Sequence, residues 1–141
     1  LRLHAPHVKV AVVMPGHIGT SIVINTSAVL GKPDALHMRA EDVAALREQL
    51  TRRGVPAAGM TDEHIRGVMH QLALAFRDNA PTTAARAATV ILDGVRSEAW
   101  RILVGDDAHV LDRLVRESPG TAYERSLVQA MQAEGHLRLL V

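Results

Sequence analysis

Apolar and polar positions change period several times along the chain, and each change marks an expected element. Val8-Lys9-Val10-Ala11-Val12-Val13 sets four valines and an alanine around one lysine, then stops at Met14-Pro15-Gly16. A short β-branched run bounded by turn residues predicts a strand over 8–13, covered on both faces as in a parallel sheet. The chain turns through a second glycine, Gly19, into an apolar helix over 21–30, capped by Thr20 or Ser21 and closed by Gly31-Lys32-Pro33. Val43, Leu46 and Leu50 give a helical period over Ala40–Arg53, with Glu41 and Asp42 in the first turn and Arg52 and Arg53 in the last, complementing the helix dipole. Thr61 is the expected N-cap of a third helix, whose stripe is Ile65, Val68, Met69, Leu72, Ala73 and Phe76.

Pro81-Thr82-Thr83 opens a fourth helix over 82–97. Its small face (Ala84, Ala87, Ala88, Ile91, Leu92, Val95) suits close approach to a sheet. A second strand, Trp100–Val104, is followed by Gly105-Asp106-Asp107 as turn and cap, a helix over Ala108–Glu117, a break at Ser118-Pro119-Gly120 and a helix over Thr121–Glu134. The tail His136–Val141 alternates but is assigned no element. Two short β-branched strands far apart in sequence predict parallel neighbours joined by a right-handed crossover. The fold class is therefore expected to be α/β, with parallel strands at about 8–13 and 100–104, covering helices and a helical insertion over 21–80.

Composition removes several function classes. The chain has 141 residues, 16 basic and 15 acidic side chains and a formal net charge of +1, so no electrostatic case for nucleic acid or a membrane surface arises. Aromatic residues make up 2%, too few for a base-stacking surface. The lack of cysteine leaves no disulfide framework and no thiolate chemistry, in keeping with a cytoplasmic location. No signal peptide pattern and no long apolar span is present.

The Pro15-Gly16-His17-Ile18-Gly19-Thr20 turn after its strand resembles the Pro-Gly-x-Ile-x-Thr signature of the short-chain dehydrogenase/reductase family. The blocks Phe76–Arg96 and Trp100–Ala108 are similar to that family's last helix and last strand, so the likeness covers about residues 1–117 and only the C-terminal half of a family member. It implies a partial Rossmann-type fold, a helical substrate lid over 21–80 and a C-terminal helical extension over 105–141, all within one domain. It also implies NAD or NADP as cofactor, an alcohol or carbonyl compound as substrate, and association into a homo-oligomer. Carried over residue by residue, Pro15, Gly16, Ile18 and Thr20 would bind cofactor. Ile18 would meet the nicotinamide carboxamide through its backbone, and Thr20 would donate its hydroxyl to the carboxamide or pyrophosphate.

The family's Gly-rich fingerprint and its Tyr-x-x-x-Lys do not occur here: Tyr123 is followed four residues later by Leu127, and the lysines are Lys9 and Lys32. Leu1-Arg2-Leu3 resembles the end of the helix that carries the latter motif. The chain is accordingly expected to be a fragment or truncated product holding no catalytic residue, and inactive as a dehydrogenase alone. The alternative is a non-catalytic remnant that acts by association, through the open edge of strand 8–13.

Other chemistry is weaker. His17 sits in the turn, either lining a nicotinamide pocket or simply half-exposed. His4/His7 and His64/His70 lack zinc-ligand spacing, so no metal site is expected. Asp106-Asp107 is better explained as a helix cap than as an acid–base pair, and no Gly-x-Ser-x-Gly elbow supplies a nucleophile. The Met69–Phe76 stripe is expected to be lid core, and Arg47, Arg52 and Arg53 a solvated basic helix end.

Overall fold

The computed structural model describes residues 3–137. Leu1 and Arg2, and residues 138–141 of the unassigned tail, lie outside them. The fold is α/β and mostly helical: six α-helices and two small parallel sheets of two strands each. The chain divides into two compact units, one formed by Leu1–Gly19 and Ala80–Val141, the other by Thr20–Asn79. Among the described residues no helix is long and apolar enough to cross a membrane.

In the first unit, strand β1 (Val12–Pro15) pairs with β4 (Arg101–Val104), and the two-residue strand β2 (Ile18–Gly19) pairs with β3 (Thr82–Thr83). The expected parallel pairing between the two long strands is present, running from Val12 opposite Arg101 to Pro15 opposite Val104. Its bounds differ from expectation. Residues 8–11 are not strand; Val8 donates to the Ala5 carbonyl in a turn, and the ladder starts only where the Val12 N–H reaches the Trp100 carbonyl. The valine run has β propensity throughout, but a strand extends only as far as its partner does.

The expectation that this strand is covered on both faces is also corrected. Val12, Val13 and Met14 are 41, 37 and 37% exposed, because helices α4 (Ala84–Arg96) and α5 (Asp106–Glu117) pack on β4 and not on β1. The core forms there: Ala87, Ile102 and Val104 are buried, with Ile18, Val90, Ile91 and Ala99 packed around them. The face that α4 turns inward is therefore narrower than, and rotated from, the expected one. Ala87 and Ile91 belong to it, joined by Val90, whereas Ala84, Ala88, Leu92 and Val95 are exposed. Gly94 lies on the same side, where a Cβ would come within 2.6 Å of the Ile102 Cδ1.

Helix α5 is tied to β4 by the ion pair of Arg101 with Asp112, and Asp112 also accepts from Arg116 at 3.0 Å. The last expected helix begins late. Pro119–Thr121 form a 3-10 turn, and α6 spans Arg125–Ala133 with Met131 buried.

The second unit is wholly helical: α1 (Ile22–Val29), a 3-10 turn at Ala35–His37, α2 (Ala40–Arg52) and α3 (Asp62–Asp78). Thr61 caps α3 as expected, its hydroxyl accepting from the His64 N–H at 3.2 Å. Packing of α3 against α1, α2 and the 3-10 turn buries Val43, Ile65 and Ala73. The expected α3 stripe narrows to Ile65, Met69, Ala73 and Phe76, since Val68 and Leu72 are exposed. Arg47 is not a solvated charge. Its guanidinium pairs with Asp62 and donates to the Met60 carbonyl at 3.3 Å, fastening α2 to the start of α3.

Candidate functional site

The two strands of the β1–β4 pair run parallel, so their carboxyl ends lie at the same edge of the sheet. In α/β proteins that edge is where ligands are received. Here it is built from two loops, Gly16-His17 after β1 and Gly105 after β4.

Gly105 adopts φ +97°, which a side chain would oppose, and so turns the chain sharply from β4 into α5. That turn brings Asp107, in the first turn of α5, back beneath the loop that follows β1. The Asp107 carboxylate accepts from the His17 backbone N–H and, at 3.0 Å, from the Ala108 N–H. It is 7% exposed, beside Thr82 at 8%. A helix N-terminus favours a carboxylate in just this place, through its unpaired N–H groups and its dipole. The sequence reading of Asp106-Asp107 as a helix cap was therefore incomplete. Gly105 is the N-cap and makes no side-chain bond, while Asp107 spends one acceptor on its own helix and another on a loop ninety residues earlier.

This arrangement explains Gly16. A Cβ built there would fall inside the Asp107 carboxylate, overlapping its carbon and both oxygens. The residue must be glycine because a buried carboxylate occupies that space, a close-approach requirement internal to the protein. The Gly16 N–H is also used, donating to the Val104 carbonyl at 2.9 Å. Neither the Gly16 nor the His17 amide is left for a ligand, and a buried negative charge beneath them opposes a phosphate.

Pro15 ends β1 opposite Val104 and is exposed. The Ile18 side chain packs into the Ala87–Ile102–Val104 core. The β2–β3 ladder sets Ile18 opposite Thr82 and Gly19 opposite Thr83, whose hydroxyl in turn caps α4 by accepting from Arg86 N–H at 3.2 Å. The structure thus gathers Pro15, Gly16 and Ile18 at one edge and holds them from both sides. Thr20 is the first residue of the helical unit; it is half-buried, and its hydroxyl makes no hydrogen bond among the described residues. Ser21 is the N-cap of α1 without a side-chain cap bond, so the expected capping at Thr20 or Ser21 is positional only.

The Gly16 N–H is spent on Val104 and the His17 N–H on Asp107, so neither amide is open to a pyrophosphate. Sequence reasoning read Asp107 only as a helix cap and Thr82 only as a helix start, where the structure has them beside the Gly16 loop and in β3. The available signal was the Gly-Asp-Asp directly after a strand, which marks a helix start but not the distant loop that the carboxylate holds. Compared with known proteins, the chain matches no family model, no curated protein and no solved structure.

Proposed function

We propose that the chain is the C-terminal, nicotinamide-side portion of an NAD(P)-dependent short-chain oxidoreductase acting on an alcohol or carbonyl compound, within a partial Rossmann-type fold. The observation that carries this reading is the Pro15–Thr20 turn standing at the carboxyl end of a parallel strand pair. When bound, the nicotinamide supplies hydride acceptance or donation. Pro15, Gly16, Ile18 and Thr20 are the residues that would hold it, the Ile18 backbone toward the carboxamide and the Thr20 hydroxyl as a donor. Asp107 fixes the Gly16-His17 loop by accepting from the His17 N–H. No side chain of this portion moves a proton on the substrate, so by itself it has no turnover.

Saturation-transfer NMR with reduced nicotinamide mononucleotide tests the proposal. The expected result is transfer to the nicotinamide ring protons, weakened by Thr20→Val. No transfer, or transfer unaffected by Thr20→Val, overturns it. Sustained consumption of reduced nucleotide with a panel of carbonyl compounds would overturn the expected inactivity.

The exposure of β1 favours a second reading, a non-catalytic remnant that acts by association. Among the described residues β1 has one hydrogen-bonded neighbour, and no other strand pairs with its outer edge. Sedimentation of the pure chain decides this: strand pairing requires a dimer or larger, and a monomer that unfolds cooperatively excludes it.

A further inference from the structure

The helical unit carries a half-open cavity of about 500 Å³ that the turn at the β1–β4 edge does not share. Each of its three helices contributes a pair of residues one turn apart: Val23 with Ser27 from α1, Asp42 with Leu46 from α2, Met69 with Ala73 from α3. Residues spaced by four stand one above the other on a helix face, so all three helices turn a face toward one space. The segment from Lys32 to Met38 completes the wall. It is held in shape, because the Asp34 carboxylate caps the 3-10 turn by accepting from Leu36 and His37 N–H, and Arg66 Nε donates to the Met38 carbonyl at 2.9 Å. The volume is that of a small-molecule site, and its walls are formed without a ligand.

Its polar groups sort into spent and unspent. Asp34 is engaged by the His37 ring at 2.9 Å as well as by its two N–H donors, and Asp42 by Arg39 at 2.9 Å. Lys32 acts on Asp42 through its charge. The Ser27 hydroxyl and the His70 imidazole, both half-buried, make no hydrogen bond among the described residues. What remains for a ligand is a largely apolar surface with two hydrogen-bonding side chains, Ser27 and His70.

We infer that this cavity binds a small, uncharged, largely apolar molecule carrying one oxygen function, an alcohol or a carbonyl, met by Ser27 and His70. The inference rests on the helical unit alone and requires neither the nicotinamide reading nor any nucleotide. An apolar body gains by leaving water, and an oxygen function can pair with an otherwise idle polar group.

The test uses the full chain, with fluorescence of N-phenyl-1-naphthylamine as the probe and displacement by decanol, decanoate and decylammonium. Saturable one-to-one binding is expected without nucleotide, with decanol displacing the probe at least tenfold more effectively than either charged analogue. Filling the cavity with Ala73→Phe should weaken probe binding at least tenfold. If circular dichroism shows that variant to be unfolded, Ala35→Leu fills the space from the 3-10 turn instead. Ile22→Ser and Val29→Ser, on exposed α1 positions outside the cavity, should leave binding unchanged. Binding lost in those two variants but kept in the filled ones, or a preference for a charged analogue, overturns the inference. Failure of nicotinamide binding leaves it standing.

Discussion

Replacing Gly16 by alanine inserts a methyl group into the volume of the Asp107 carboxylate, and one of the two must leave. Moving the backbone of Gly16 breaks its bond to Val104, the last step of the β1–β4 ladder. Moving Asp107 breaks its bonds to His17 and Ala108. Overpacking costs about 1–3 kcal/mol. Losing a hydrogen bond to a charged acceptor adds about 1.5–3 kcal/mol. A total of about 2.5–6 kcal/mol is a large part of the roughly 5–15 kcal/mol that holds a domain folded.

Asp107→Ala alone removes the acceptor and strands the part-buried His17 N–H, for about 1–3 kcal/mol. The informative variant is the pair. In Gly16→Ala with Asp107→Ala the new methyl group enters space that the carboxylate has vacated, so the overpacking penalty disappears. The double variant should therefore be more stable than the sum of the single effects by more than about 1 kcal/mol, the coupling expected of residues in contact. Urea unfolding of the four proteins measures this. Additive effects would refute the claim that Asp107 is what makes Gly16 obligatory.

Two further outcomes follow from the same kind of reasoning. Gly94→Ala should destabilise by about 1–3 kcal/mol, because its Cβ meets buried Ile102 at 2.6 Å. Gly67→Ala, mid-helix in α3 with nothing within 4 Å, should stabilise by about 0.5–1 kcal/mol; thermal unfolding that gave both the same sign would contradict the packing described. The Arg39 hydrogen bond, ahead of its charge, holds the Asp42 carboxyl below its ordinary value of 3.8. A depressed carboxylate favours the folded chain above that ordinary value, and the contribution is lost as pH falls through the depressed one. Arg39→Gln should raise the Asp42 midpoint toward 3.8, read by carboxyl carbon NMR; an unmoved midpoint would show that the pairing does not hold it.

The helices were legible where periodicity and caps agree. Val43, Leu46 and Leu50 placed α2, and Thr61 ahead of Asp62 and Glu63 placed the start of α3, because both signals are local. The parallel relation of the two strands was also legible from their composition and separation. Their extents were not, since the length of β1 is set by hydrogen bonds to Arg101–Val104 and not by its own valines. The strands β2 and β3, two residues each, are too short to show any period. At the site, the glycines of the turn were visible in the sequence, but the reason for Gly16 was not. That reason is a carboxylate ninety residues away, brought there by the left-handed backbone of Gly105.

The same carboxylate bears on the proposed reading. With the Gly16 and His17 amides spent internally, a nucleotide bound as proposed would need donors for its phosphates from other groups.

The most direct measurement is a backbone amide NMR titration of the labelled chain with reduced nicotinamide mononucleotide. The account predicts shifts concentrated at Ile18, Gly19 and Thr20, with the His17 resonance held in place by its bond to Asp107. Shifts centred on His17 and Ala108, or no shift anywhere along Pro15–Thr20, would contradict it.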